Sequence, residues 1–233
     1  MTGKVNSIQS LGTLDGPGVR FVLFMQGCNL RCGCCHNPDT WCSSGGTAYT
    51  PEEIYNKVVR YKEYFGTDGG ITASGGEPLL QADFLYELFS LCKAGGINTC
   101  LDTSGSFVNN SVHKLLSVTD RVLLDVKYHT DELYRKYVGC GYGEVIDFLN
   151  LLCEKGIPTT LRRVIIPTLN DTDESIGELS GLALTYPNVD KVELLPFKKI
   201  CTVKYERLNL PFAFQNFREP TREEMDALNA KLL

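Results

Sequence analysis

A parallel α/β fold is predicted by three features of the sequence. Six apolar runs rich in β-branched residues recur along the 233 residues, and segments with apolar residues at three-to-four spacing separate them. No repeat or long Pro/Gly/Ser linker divides the chain. A chain of this length buries about 70 to 75 per cent of its unfolded surface in one core. We therefore expect a single domain over residues 1–233.

The strands are predicted where β-branched and aromatic residues cluster between turn residues. They lie at 19–25, 69–74, 98–102, 121–126, 159–166 and 191–197. Right-handed crossovers between successive strands give a parallel sheet with helices outside. Because six units are too few for a closed eight-stranded barrel, we expect an open partial (β/α)6 barrel. Its functional site should lie at the C-terminal ends of the strands.

The helices are predicted from apolar periodicity and from their end signals. They lie at 51–65, 81–94, 109–117, 143–155, 172–185 and 221–232. The first begins with Thr50 as a cap, Pro51 in the first turn and two acids after it. Gly156 and Pro158 mark the end of the fourth.

Composition excludes several classes of protein. The net charge of −5 gives no electrostatic reason to expect nucleic acid. The N-terminus lacks the apolar core of a secretory signal, and no run reaches the roughly 18 apolar residues of a membrane span. We therefore expect a cytoplasmic protein without a membrane partner. In that reducing compartment, ten cysteines favour metal or redox chemistry over disulfides.

The strongest local signal is a cysteine motif that follows the first predicted strand. Cys28, Cys32 and Cys35 have C-x3-C-x2-C spacing within QGCNLRCGCCHNPDTW. Three thiolates in one short loop can hold a [4Fe-4S] cluster and leave its fourth iron open to a substrate. A zinc site completed by Cys34 or His36 is the alternative, as is simple burial of small apolar side chains. No second CxxC pair supports zinc.

Chemically capable residues also end the later strands. Gly75, Gly76 and Glu77 follow the second, where two glycines permit close approach of backbone to a ligand. Asp102 with Thr103, and Asp125, end the third and fourth, where they could bind a cation or a ribose hydroxyl. Without further context, a generic turn and helix caps explain the same residues.

Two adjacent arginines lie in the fifth strand. An arginine in an apolar strand is costly unless it is paired, and its planar fork suits a carboxylate. A structural ion pair explains Arg162 as well as a ligand does. Because strand side chains alternate, Arg163 should point the other way.

With these motifs in place, the sequence resembles the glycyl-radical-enzyme activases of the radical S-adenosylmethionine (SAM) family. The resemblance runs in order through nearly the whole chain. It is carried by DGPGVR at 15–20, the cysteine motif with HNPDTW at 36–41, TASGGEPLLQ at 72–81, CLDTSG at 100–105, LLDVK at 123–127 and ELLPF at 193–197.

The resemblance implies a cofactor set and a role for each matched residue. Cys28, Cys32 and Cys35 hold the [4Fe-4S] cluster, and SAM is the co-substrate. A monovalent cation lies beside the co-substrate on Asp102, Thr103 and Asp125. Residues implied to bind the co-substrate are Cys34, Cys35, His36, Gly75, Gly76 for the methionine amino group, Glu77, Asp125, Val126, Lys127, Arg162 and Lys198.

The implied reaction is reductive cleavage of SAM to methionine and a 5'-deoxyadenosyl radical. That radical takes hydrogen from a glycine of a large glycyl radical enzyme. Pyruvate formate-lyase is the expected partner, because the chain length agrees with that of its activase. Many activases of other glycyl radical enzymes carry a ferredoxin-like insert after the cysteine loop, and this sequence has none. A flavodoxin or ferredoxin is implied as the electron donor, since the cleavage needs a low-potential electron.

Two positions depart from the family pattern. Cys34 stands where an aromatic residue commonly precedes the third ligand, and Lys198 follows ELLPF where a histidine is usual. These departures leave the adenine contacts open. They also leave open a radical SAM enzyme that acts on a small molecule or another glycyl radical enzyme, and a zinc or iron-sulfur module without catalysis.

Overall fold

The computed structural model describes residues 1–232. The chain divides into two compact units, which are described separately below. The first unit comprises residues 1–29 and 40–123, and the second comprises residues 30–39 and 124–233. The predicted single domain stays a prediction, and its last residue lies outside the described residues.

Eight strands, β1 to β8, form one sheet in the order β3-β1-β2-β4-β5-β6-β7-β8. Their bounds are β1 Gly3–Gly12, β2 Arg20–Met25, β3 Thr47–Tyr49, β4 Gly70–Gly75, β5 Asn98–Thr103, β6 Arg121–Asp125, β7 Thr159–Ile165 and β8 Val189–Pro196. The pairs β2 with β4, β4 with β5, and β7 with β8 are parallel. All six predicted strands are present, so the mostly parallel α/β prediction is confirmed.

Strands β1 and β3 were not predicted from the sequence. Strand β1 pairs antiparallel with both β2 and β3, and so adds an antiparallel edge to the sheet. Its register against β2 shifts between Val5 and Ser7 and again between Gln9 and Gly12. These irregularities interrupt the two-residue alternation by which a half-buried strand is recognised.

Eight α-helices, α1 to α8, occur within residues 1–232. Their bounds are α1 Pro51–Val58, α2 Ala82–Ala94, α3 Asn110–Leu116, α4 Asp131–Tyr137, α5 Tyr142–Glu154, α6 Asp173–Thr185, α7 Thr202–Arg207 and α8 Arg222–Asn229. The six predicted helices are confirmed, although the first becomes a 3-10 helix from Val59 to Tyr64. Helices α4 and α7 were missed because each is too short for clear periodicity.

Each unit packs its own apolar core between strands and helices. In the first, Val22 and Leu23 of β2 and Ile71 of β4 are buried, as are Leu88 and Phe89 of α2. In the second, β7 buries Leu161 and Ile165, and the inner faces of α5 and α6 are buried as well. Across residues 1–232, no helix is both long and apolar enough to cross a membrane.

Candidate functional site

The first unit contains the loop that begins after β2. Gly27 has a φ of +97°, its amide donates to Thr40 O (2.7 Å), and its carbonyl accepts from Glu77 N (2.9 Å). Cys28 follows at once and is partly exposed. The backbone after β2 is therefore hydrogen-bonded to the turn after β4. This contact fixes the position of the backbone from which Cys28 follows.

The turn after β4 requires glycine at two positions. Gly75 has a φ of +108°, and a Cβ there would lie 2.3 Å from Met25 N. A Cβ on Gly76 would lie 2.1 Å from Gly27 O. Since the amides of Gly76 and Glu77 donate to Met25 and Gly27, the turn can offer a cationic amino group only carbonyl oxygen. At Gly75 and Gly76, the backbone thus closely approaches the end of β2 and the residue Gly27 after it.

Glu77 turns its side chain into the protein interior, where it is 1% exposed. Its carboxylate accepts hydrogen bonds from Thr103 Oγ1 (2.6 Å), Ser104 Oγ (2.5 Å), Ser104 N (3.1 Å) and Leu79 N (3.1 Å). Burial raises the pKa of Glu77, and these donors oppose the shift. The side chain joins the turn after β4 to the loop after β5, a role that the sequence did not indicate.

The predicted cation ligands of the first unit lie at the end of β5. Asp102 Oδ2 accepts a hydrogen bond from Ser74 Oγ (2.8 Å). The Thr103 hydroxyl donates to Glu77 and accepts from Gly105 N (3.1 Å). Both residues lie at the C-terminal end of β5, where neighbouring side chains hold them, and their role as cation ligands stays a prediction.

The second unit contains residues 30–39 of the cysteine loop, which are anchored by backbone hydrogen bonds within that unit. Arg31 N donates to Val138 O (3.0 Å), and Gly33 N donates to Tyr137 O (2.9 Å). A turn closes between Cys32 O and Cys35 N (3.1 Å). This turn holds the backbones of Cys32 and Cys35, two of the predicted cluster ligands, close to each other.

Burial separates Cys34 from its neighbours in the loop. Cys32 and Cys35 are partly exposed, whereas Cys34 is buried. Burial raises the pKa of the Cys34 thiol to about 11, although Lys127 lowers it. Because the Cys34 thiol is buried whereas Cys32 and Cys35 are partly exposed, the structure favours Cys32 and Cys35 over Cys34 as ligands.

Among Cys28, Cys32 and Cys35, Cys35 has the clearest structural support as a cluster ligand. Its sulfur accepts a hydrogen bond from Asn37 N (3.3 Å), and its carbonyl accepts one from Tyr205 OH (3.1 Å). Backbone donors to cysteine sulfur stabilise the thiolate form that iron binds. Tyr205 was missed by the sequence analysis because it lies in α7, outside every motif.

Asp125 lies between two cations at the end of β6. Lys127 Nζ is 2.7 Å from Asp125 Oδ2, and Arg162 Nε is 3.3 Å from Asp125 Oδ1. Burial alone would raise the pKa of Asp125, but the two cations lower it. Burial would lower the pKa of Lys127, but Asp125 and the nearby Cys32 and Cys34 raise it well above its usual value. The two ion pairs keep the side chains of Asp125, Lys127 and Arg162 charged.

The two arginines of β7 point to opposite faces, as predicted. Arg162 reaches Asp125. Arg163 is fully buried and donates to Val126 O (2.7 Å), Ser175 Oγ (3.0 Å) and Glu178 Oε2 (2.8 Å). Arg163 is therefore structural, whereas Arg162 remains on the face that carries the charged strand ends. Val126 is buried, and its amide donates to Arg162 O (2.9 Å).

Lys198 is held by an acidic neighbour. Its Nζ lies 2.9 Å from Glu219 Oε2, and its side chain is 45% exposed. Its carbonyl accepts a hydrogen bond from His36 Nε2 (2.9 Å). The Lys198 backbone thus orients His36 directly after the third cysteine, while its ammonium is engaged elsewhere.

The donor set fits an iron-sulfur cluster better than a single metal ion. Within residues 1–232, no three His, Cys, Asp or Glu side chains are grouped as ligands of one ion. A cube of four irons spreads its ligands more widely than one ion does, so this finding concerns mononuclear sites. The thiols and the amide donor to Cys35 are the ligand chemistry that such a cube requires.

Comparison with known proteins identifies the family. The model of the Radical SAM superfamily matches residues 22–179, which include the three cysteines of the motif. The chain belongs to the radical SAM superfamily. The pyruvate formate-lyase-activating enzyme of Clostridium pasteurianum is 43% identical over 231 residues, covering 99% of this chain and 97% of that protein. The corresponding enzyme of Listeria monocytogenes is 40% identical over 238 residues, covering 99% and 96%.

A further relative agrees with this assignment. The pyruvate formate-lyase 1-activating enzyme of Escherichia coli is 38% identical over 234 residues, covering 99% of this chain and 95% of that protein. The resemblance to the activases is thus confirmed, and the chain belongs with the pyruvate formate-lyase-activating enzymes.

Solved structures show the same fold at low sequence identity. A domain of pyruvate-formate lyase-activating enzyme from Bacteroides vulgatus aligns with a TM-score of 0.58 and 20% identity, over 70% of this chain and 92% of that one. Streptococcus suis SuiB bound to S-adenosylmethionine aligns with a TM-score of 0.68 and 16% identity, over 87% and 44%. The predicted fold class, the (β/α)6 type of radical SAM enzymes, is confirmed.

Proposed function

We propose that this protein activates pyruvate formate-lyase by generating a glycyl radical in it. The observation that carries the proposal is the 38–43% identity to pyruvate formate-lyase-activating enzymes over 99% of the chain. The family match over residues 22–179 supports a [4Fe-4S] cluster and SAM as the cofactor and co-substrate. Cys28, Cys32 and Cys35 would hold the cluster. When bound and reduced, the cluster supplies the electron that cleaves SAM to methionine and a 5'-deoxyadenosyl radical, which takes hydrogen from a partner glycine.

The residues of the second unit would orient the co-substrate by charge. Arg162 and Lys127 would present cations to the co-substrate carboxylate, and their ion pairs with Asp125, whose pKa they lower, would hold both side chains in place. Because these three groups stay ionised, the local field does not depend on proton uptake when the co-substrate binds. Asp125 would serve the monovalent cation as well. His36 and the Cys34 backbone are proposed to contact the adenosine part.

The residues of the first unit would hold the methionine part. Gly75 and Gly76 would present carbonyl oxygen to an ammonium group, and the hydrogen bonds of Glu77 to Thr103 and Ser104 would hold that turn in place. Asp102 and Thr103 would contribute oxygen ligands to the monovalent cation. Lys198 is the least supported member of the set, since its ammonium pairs with Glu219.

The electron donor is proposed to be a flavodoxin or ferredoxin, since the chemistry needs one low-potential electron at a time. A cytoplasmic location, which such a donor implies, stays a prediction.

A decisive experiment uses the anaerobically reconstituted, reduced protein with SAM and pyruvate formate-lyase from the same organism. An electron paramagnetic resonance doublet from a glycyl radical supports the proposal. Deoxyadenosine without a doublet would keep the radical chemistry and reject pyruvate formate-lyase as the partner. Absence of both, with an intact cluster, would overturn the catalytic assignment.

A further inference from the structure

The segment 198–207 carries an exposed apolar strip on its outer side. Ile200 is 77% exposed and Val203 is 52% exposed. Thr202 N donates to Lys199 O (3.1 Å), so the helical path of α7 already begins there and places Ile200 and Val203 one turn apart on one side. Cys201 and Tyr205 are buried on the other side. Two neighbouring large apolar side chains therefore face outward from a well-anchored element.

The same segment is basic within an acidic protein. Residues 198–207 contain four cations and one anion, whereas the whole chain carries a net charge of −5. The cations are Lys198, Lys199, Lys204 and Arg207; Lys198 is paired with Glu219 and Lys204 with Asp39, so Lys199 and Arg207 carry most of the excess positive charge. Lys199 Nζ donates to Gln215 O (2.6 Å), which holds this charge near the strip. An apolar centre with a charged rim is the usual anatomy of a protein interface, and its sign attracts an acidic partner.

This segment also contacts the cysteine loop directly. Tyr205 OH donates to Cys35 O (3.1 Å), and Lys204 Nζ donates to Asn37 Oδ1 (2.8 Å) and Asp39 Oδ1 (2.9 Å). His36 Nε2 donates to Lys198 O (2.9 Å). The segment 198–207 therefore contacts Cys35, the third proposed cluster ligand, with its inner side and exposes Ile200 and Val203 on its outer side.

We propose that the exposed face of 198–207 docks the acidic one-electron carrier protein that reduces the cluster. This inference rests on the proposed function. Electron transfer between proteins slows steeply with distance, so a donor must dock beside the cluster loop. Redox encounters use small interfaces that charge steers, which fits two apolar side chains within a basic rim. The carrier is oxidised by one electron, the cluster is reduced by one, and no covalent bond changes.

The test compares two sources of electrons in the reconstituted protein. The double variant Ile200→Glu/Val203→Glu places two negative charges on the strip without touching the contacts to Cys35, Asn37 or Asp39. Its rate of glycyl radical formation with reduced flavodoxin should fall by about tenfold or more, because like charges repel an acidic carrier. Its rate with dithionite should stay within about twofold of the unmodified protein, since a small reductant needs no docking surface.

The matched control is Leu184→Glu, a 71% exposed leucine on α6, which should leave both rates unchanged. Equal loss with flavodoxin and dithionite, with an unchanged melting temperature, would overturn the proposal and assign the strip to the glycyl radical partner. An unchanged flavodoxin rate would also overturn it. If the unmodified protein forms no radical with either reductant, the proposed function fails instead, so the two failures are distinguishable.

Discussion

The carboxylate of Glu77 accepts a 2.6 Å hydrogen bond from the hydroxyl of Thr103. This contact joins the glycine turn after β4 to the end of β5, across 26 residues of sequence. Ser104 adds two more donors to the same carboxylate. Glu77 thus holds the turn at Gly75 and Gly76, which is proposed to receive the methionine amino group. The Glu77 side chain itself is buried.

The substitution Glu77→Gln tests this role. A glutamine amide would turn a donor toward the Ser104 hydroxyl or amide, leaving a buried donor unsatisfied at a cost of about 1–3 kcal/mol. We expect a lower free energy of unfolding in urea and weaker SAM binding by equilibrium dialysis. The control Glu87→Gln makes the same chemical change at an exposed position of α2 and should affect neither. Unchanged stability and affinity in Glu77→Gln would contradict the assigned role.

Gly76 offers a steric test of the same turn. A Cβ there would lie 2.1 Å from Gly27 O, so Gly76→Ala must displace backbone and should cost about 1–3 kcal/mol or more. Gly177 in α6 has no atom within 4 Å of an added Cβ. Gly177→Ala should therefore stabilise the protein by about 0.5–1 kcal/mol. Thermal unfolding measures both, and equal effects from the two substitutions would refute the close approach.

Arg162 and Arg163 should give opposite phenotypes. Arg163→Ala removes the donor from three carbonyl oxygens and the ion-pair partner of Glu178, and should cost about 3–5 kcal/mol in urea unfolding. Arg162→Ala leaves Asp125 paired with Lys127, so it should cost less stability but weaken SAM binding. The comparison needs both unfolding and binding measurements on each variant. The reverse pattern would show that the two faces of β7 have been assigned the wrong roles.

The fold could be predicted well from sequence because its central strands are buried on both faces. The continuous apolar run of β2 shows this, as does the apolar run of β6. Strand β1 escaped prediction because its pattern of burial is irregular and its partner, β2, lies ahead in the sequence. Its pairing is a tertiary property that no local window contains.

The candidate site was predicted to a smaller extent. The cysteine spacing and the strand-end residues carried local signals, and the opposite directions of Arg162 and Arg163 followed from strand alternation. The buried destination of Glu77 and the contact of Tyr205 with Cys35 did not, because they join segments 26 and 170 residues apart. Such contacts depend on packing, which motif spacing does not encode.

Glu224 makes α8 sensitive to acid. Its hydrogen bonds with Arg218, and with the Thr221 amide in the capping box, lower the pKa of Glu224 to about 2. The unfolded chain has a glutamate pKa of about 4.3, so this stabilisation is present above that pH and is lost as pH falls toward about 2. Glu224→Gln should lower the melting temperature at pH 6 and have a smaller effect near pH 3. The group is exposed, so the difference should shrink in high salt. A constant difference at all pH values would contradict this assignment.

The cysteines provide the direct test of the metal centre. Cys28→Ser, Cys32→Ser and Cys35→Ser should each lose most of the iron and acid-labile sulfide after anaerobic reconstitution, since a cluster held by three thiolates tolerates no loss. Cys34→Ala, in the same loop, should keep the iron because the Cys34 thiol is buried whereas Cys32 and Cys35 are partly exposed. Cys153→Ser changes a partly exposed cysteine of α5 and should also keep it. Iron lost from Cys34→Ala but retained in Cys28→Ser would require a different ligand set, and zinc near one equivalent without sulfide would replace the cluster by a zinc site.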